Sequence, residues 1–227
     1  MPDTAPDAQL LRSLGRLVRG LSALFWALPC ALIVCVQTVE TQLLQSFNVL
    51  PPVIVTAWIF YGLWQLGHFQ KQERIWVLAL DRAKILALVN LGLSPFLFWL
   101  SQRPDVPFYQ AMVLVLAACG LLFLGSLNLV LYRLTAMLPD ESLREETRQF
   151  TTLNRLLLLG ILLLGILIIL FAHFPAALSL PMNLIIFTGP AGFWLVVFLT
   201  LLPLAMTMAL IWKIKETILE SIFGAGR

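Results

Sequence analysis

Charged residues are scarce in this chain. Lys, Arg, Asp and Glu make up 12% of its 227 residues, well below the roughly 25% of soluble domains. The stretch from Leu156 to Trp212 has none of them over 57 residues. One membrane-spanning helix needs about 20 residues, so this stretch alone is long enough to cross twice. The scarcity excludes an ordinary soluble domain and predicts a polytopic membrane protein.

The sequence also lacks the motifs of common enzyme classes. It has no glycine-rich phosphate loop ending in lysine, no Gly-x-Ser-x-Gly, no His-x-x-x-His and no pair of aspartates within an apolar run. An intramembrane enzyme needs at least two positioned acid, base or nucleophile groups at one depth. Cys30, Cys35 and Cys119 follow no disulfide or metal spacing. We therefore expect no enzymatic activity, no catalytic residue, and no bound metal or cofactor.

The positive charge that is present lies in four clusters separated by long uncharged stretches. Of the 15 Lys and Arg residues, only Arg103 falls outside these clusters. Their members are Arg12, Arg16 and Arg19; Lys71, Arg74, Arg82 and Lys84; Arg133, Arg144, Arg148 and Arg155; and Lys213, Lys215 and Arg227. Alternate loops thus carry the positive charge, which indicates that they face the cytoplasm. No single basic patch forms, so lipid head groups are the expected partner and nucleic acid is not.

These patterns predict an all-α, single-domain bundle of six transmembrane helices with both termini in the cytoplasm. The predicted spans cover residues 20–39, 52–67, 84–99, 108–133, 155–173 and 192–212. Short interfacial helices are predicted on the cytoplasmic side at 10–19, 74–84 and 140–155, where charged and apolar residues mix. Residues 174–190 are apolar, rich in proline and too short to cross, which favours a re-entrant or interfacial element. The expected location is a bacterial inner membrane.

Small residues recur four apart along the first predicted span, at Ala23, Ala27, Ala31 and Cys35. Such a stripe allows another helix backbone to approach closely. Two interpretations remain open at this point. The stripe forms an interface with another subunit, or it packs against another span of the same chain.

Polar residues within the spans are few and uncharged, and they are the default candidates for a functional site. They are Gln65, Asn90, Ser94, Asn128, Thr200 and Thr207. We expect Gln65, Asn90 and Asn128 to make intramembrane polar contacts, with Asn90 and Asn128 bonded to each other. Glu40 borders the first span and is either an outer-face ion site, alone or together with His173, or a marker of the water boundary.

The sequence predicts a non-enzymatic structural or assembly subunit of a larger membrane complex, formed with other membrane subunits or with a second copy of the chain. The alternative is a small transporter, channel or permease subunit with a separate energising partner. Pro29, Pro95 and Pro203 motivate the alternative, because prolines inside spans kink helices and such kinks act as hinges in transporters. Proline kinks are also common in static bundles, so this second interpretation stays open. The layout is also similar to that of the six-helix permeases of some ABC-type exporters, which need a separate ATPase.

Overall fold

The computed structural model describes residues 4–40, 47–69, 73–137, 141–173 and 190–223. Within these ranges the chain forms seven α-helices and no strand. The helices are α1 (Thr4–Glu40), α2 (Leu50–Leu66), α3 (Arg74–Leu93), α4 (Pro95–Gln102), α5 (Pro107–Thr135), α6 (Glu141–His173) and α7 (Pro190–Phe223). The predicted all-α class is confirmed.

Five stretches of the described chain are long and apolar enough to cross a membrane. They are Arg12–Val39, Arg74–Gln102, Pro107–Thr135, Arg144–Leu167 and Val197–Glu220. The remaining apolar helix, α2, is shorter, with 17 residues. Lipid offers no hydrogen-bond partner to the backbone, so each apolar run folds as a helix that satisfies its own amides and carbonyls.

The segments predicted as separate surface helices are continuous with the helices that follow them. Residues 10–19 lie within α1, residues 74–84 begin α3, and residues 141–155 begin α6. No proline separates any of these segments from the apolar run behind it, so nothing in the backbone ends the helix there. The structure therefore differs from the prediction, in which a break set these segments apart.

A break does occur inside the third predicted span, between α3 and α4. Pro95 has no N–H to donate to the carbonyl of Leu91, which is four residues earlier. The hydroxyl of Ser94 donates to that carbonyl instead, at 2.9 Å, and Ser94 is fully buried. Pro29 and Pro203, by contrast, lie within uninterrupted helices. Of the three prolines expected to kink their spans, Pro95 is the one at which the helix is broken.

Successive passes run antiparallel, with α3 and α4 together making one pass. The contacts that fix the register join Gly20 to Gly62, Thr56 to Ser94, Phe96 to Phe108, Ala136 to Arg144, and Asn154 to Thr207. The bundle closes on itself because α7 packs against α1, with Trp212 in contact with Phe25. The helix termini that carry basic residues therefore lie together, at what we call the basic end, and Arg103 lies at the opposite, outer end.

The apolar core is densest in the half of the bundle next to the basic end. Its largest fully buried side chains are Leu17, Leu21, Leu24, Leu63, Leu66, Trp76, Leu80, Leu127, Leu131, Leu134 and Ile211. In the outer half, no side chain between Pro107 and Leu122 of α5 is buried, and none of those described from Leu159 onward in α6. The outer halves of α5 and α6 thus leave an apolar surface that the described chain does not cover.

Candidate functional site

Three uncharged polar side chains from three helices meet inside the bundle and form what we call the polar seam: Asn128 of α5, Asn154 of α6 and Thr207 of α7. All three are at most 3% exposed. The Nδ2 of each asparagine donates a hydrogen bond to Oγ1 of Thr207 at 3.0 Å. The Thr207 hydroxyl donates in turn to the Pro203 carbonyl at 2.8 Å. A hydroxyl offers one donor and two acceptor positions. All three positions of the Thr207 hydroxyl are occupied, and its bonds link three helices.

The seam continues along α6 toward the basic end. Thr147, Thr151 and Asn154 are spaced four and three apart, so they share one face of the helix. The hydroxyl oxygens of both threonines and Oδ1 of Asn154 are buried without a hydrogen-bond partner among the described residues. Beside Thr147 lies a cavity of about 90 Å³, room for about three water molecules. The ion pair between Glu146 and Lys213 lines this cavity at the basic end.

A cleft lies between α1 and α2 at the basic end, and we call it the basic cleft. Its volume is about 570 Å³, and it is lined by Arg16, Arg19, Ala57, Phe60, Tyr61, Trp64, Gln65 and His68. Inside it, Nε2 of Gln65 donates to the Tyr61 hydroxyl at 2.8 Å. Nδ1 of His68 lies 3.1 Å from the Trp64 carbonyl oxygen. Cationic, hydrogen-bonding and aromatic groups thus share one open site.

Comparisons with family models, curated proteins and solved structures find no match. The function is therefore inferred from the chain's own residues. Chemically, the polar seam is uncharged and suits hydrogen bonding between helices. The basic cleft is positively charged and suits an anion.

The predicted bond between Asn90 and Asn128 is not formed. Asn128 donates to Thr207 and to the carbonyl of Leu124, at 3.0 and 2.8 Å. Asn90 is buried, and its Oδ1 has no partner within the described chain. The register between the two passes explains this, because contact between Phe96 and Phe108 places Asn90 at least two helical turns from Asn128.

The small-residue stripe of α1 faces the inside of the bundle. Ala23, Ala27 and Ala31 are buried and Cys35 is half-buried. On the same helix face, Gly20 packs directly against Gly62 of α2. Of the two interpretations of the stripe, this arrangement corresponds to packing within the chain.

Glu40 and His173, the residues of the predicted ion site, end α1 and α6. Both helix ends lie at the outer end of the bundle. Their side chains lie outside the part of the structure that is described, so the ion site stays a prediction. Residues 174–189, predicted as a re-entrant element, also fall outside the described ranges.

Sequence reasoning missed Asn154. The predicted fifth span begins at Arg155, so Asn154 falls in the predicted interfacial segment 140–155 on the cytoplasmic side. Residues 141–155 are mostly charged or polar, so no sequence signal distinguishes Asn154 from its neighbours. Its burial depends on the packing of α7 against α6.

Proposed function

We propose that this protein is a non-enzymatic integral membrane protein that acts as a structural or assembly subunit of a larger membrane complex. The chain crosses the membrane six times, with the basic end and both termini in the cytoplasm of a bacterial cell. The clustering of basic residues at one end of the bundle supports this orientation. At 17 residues, α2 is roughly 25 Å long, and local thinning of the bilayer accommodates a span of that length.

The observation that carries the proposal is the uncovered outer surface of α6. Leu156 and Leu163 are each 63% exposed. On α1 and α2, by contrast, the outer half contains buried side chains such as Ala31 and Val55. Lipid covers leucine as well as protein does, so exposure by itself identifies no partner.

Gly160 lies between these leucines, on the same face of α6, and it points to a protein neighbour. Outside the helix's own nearby backbone, no described atom lies within 4 Å of the position that a Cβ would occupy there, so the glycine has no packing role within the described chain. Glycine costs a helix about 1 kcal/mol relative to alanine. In membranes, glycines are characteristic of surfaces where a second helix packs closely.

A second candidate, a permease subunit, draws on the three prolines and on the small cavity beside Thr147. A substrate moving through the polar seam would have to break the hydrogen bonds of Asn128 and Asn154 to Thr207. These three side chains lie between the three helices. Because these bonds connect helices to one another, the seam favours a static bundle, and the subunit is the function that we put forward.

Photo-crosslinking from α6 tests the subunit proposal. A benzoylphenylalanine at Leu163, irradiated in the native membrane, is expected to yield one discrete protein adduct, because a neighbouring helix lies against this face. The same group at Ile54 of α2, which is 61% exposed, is the matched control and is expected to yield only lipid adducts. An adduct of twice the chain mass identifies a second copy, and any other discrete mass identifies a different subunit. Lipid adducts alone at both positions would contradict the proposal.

A further inference from the structure

The basic cleft carries an inference that the subunit role does not include. We propose that it binds an anionic membrane lipid, with the lipid phosphate held by Arg16 and Arg19 and an acyl chain lying along α2. The inference rests on the chain's placement in a bilayer, which thiol labelling tests separately, and it does not depend on any partner subunit.

The cleft is held in a fixed register by a close contact between helix backbones. A Cβ added to Gly20 would lie 2.9 Å from the Gly62 carbonyl oxygen, which shows that α1 and α2 almost touch at this point. Arg16 and Arg19 are within about one helical turn of Gly20, and Gln65 is within one turn of Gly62. The crossing therefore sets the two arginines opposite the polar end of α2.

The cleft presents unused hydrogen-bond donors. Arg16 and Arg19 are exposed, and neither has a carboxylate partner among the side chains that the structure describes. The Tyr61 hydroxyl accepts a bond from Gln65, so its own proton remains available to donate. Two guanidinium groups and a phenolic proton are the kinds of donor that bind a phosphate oxygen best.

The lining of the cleft favours a lipid over a soluble anion. The lining changes from Gln65, with His68 just beyond α2, near the basic end to Phe60 and Ala57 nearer the outer end. Gln65 and Ala57 are eight residues apart on α2, which is roughly 12 Å. An anionic head followed by an apolar chain matches this gradient, whereas a free anion would occupy only the part of the cleft at the basic end. Trp64, which is 57% exposed, suits the head-group level, where tryptophan concentrates.

The test measures how much anionic lipid the full-length protein retains. The protein is placed in nanodiscs of phosphatidylcholine with a minor share of phosphatidylglycerol and is then extracted with a mild detergent. Native mass spectrometry measures the mass of the protein together with the lipid that it retains. The double variant R16Q/R19Q is expected to bind phosphatidylglycerol about thirtyfold more weakly, because it removes the charge-assisted hydrogen bonds of both guanidinium groups to the lipid phosphate. The matched control R74Q/R82Q removes the same charge from exposed residues at the same end and is expected to bind like the wild type.

A third variant separates a lipid from a free anion. A57W fills the apolar end of the cleft and leaves its charge intact, so it is expected to weaken lipid retention, and inorganic phosphate is expected not to displace the lipid. Unchanged retention in A57W, with displacement by inorganic phosphate, would identify a simple anion site and overturn the proposal. Equal losses in R16Q/R19Q and R74Q/R82Q would overturn it too, because they would show an effect of net charge alone.

Discussion

Gly20→Ala is expected to destabilise the bundle by about 1–3 kcal/mol, the usual cost of overpacking a closely packed core. The added methyl would lie 2.6 Å from Cδ1 of Leu66 and 2.9 Å from the Gly62 carbonyl oxygen. A leucine side chain can turn away, but a backbone oxygen cannot move without moving its helix. The methyl therefore forces α1 and α2 apart where they pack most closely. The measurement is the free energy of unfolding in mixed micelles, titrated with denaturing detergent.

Gly120→Ala is the matched control for this change. It adds the same methyl to a membrane helix, α5, at a position where no described atom outside the helix's own nearby backbone lies within 4 Å of the new carbon. Because alanine is the better helix former, the control is expected to leave stability unchanged or slightly raise it. Equal destabilisation by both substitutions would show that the contact between Gly20 and Gly62 does not hold α1 against α2.

Thr207→Val is expected to have the second-largest effect, a loss of about 1–2 kcal/mol. Valine has nearly the same shape but no hydroxyl, so the amides of Asn128 and Asn154 lose the acceptor that they share. Each amide keeps a contact to a backbone carbonyl, at 2.8 Å for Asn128 and 3.3 Å for Asn154, which limits the loss. The same unfolding titration measures the effect.

Thr217→Val is the control on the same helix. Among the described residues, the Thr217 hydroxyl bonds only to the Lys213 carbonyl one turn earlier, so no described interhelical bond is lost and the expected change is below about 0.5 kcal/mol. Adding Asn154→Leu to Thr207→Val is expected to recover part of the lost stability, because it removes a buried amide that lacks its main acceptor. Additive losses from Thr207 and Asn154 would contradict the shared hydrogen bond.

The helical class and the apolar segments follow directly from the sequence, since a long uncharged run in lipid has no alternative to the helix. The helix limits are harder to predict, because a charged residue such as Arg155 does not end a helix. In the structure α6 passes through that position without a break, and Asn154 lies inside the bundle. Charge therefore indicates which helix ends lie together, and it is a poor guide to where each helix starts.

The partners of the buried polar residues were not predictable from the sequence, because they depend on register. Pairing Asn90 with Asn128 assumed that two amides in neighbouring spans lie at one height. The actual register is set by aromatic contacts near Phe96 and by the proline at position 95. A single sequence does not show which of several possible helix registers these residues produce. Thr207 illustrates the same limit: its residue type identified it as a polar candidate, but its place between two asparagines required the packing of α7 on α5 and α6.

Thiol labelling tests the six-pass arrangement most directly. In a chain whose cysteines Cys30, Cys35 and Cys119 are replaced by alanine, Asp105→Cys places a thiol at the outer end and Glu141→Cys places one at the basic end. Both positions are exposed. In intact cells, a membrane-impermeant maleimide is expected to label the Asp105→Cys protein at once, and the Glu141→Cys protein only after the membrane is opened. Labelling of both proteins in intact cells would contradict the shared cytoplasmic location of the basic helix ends.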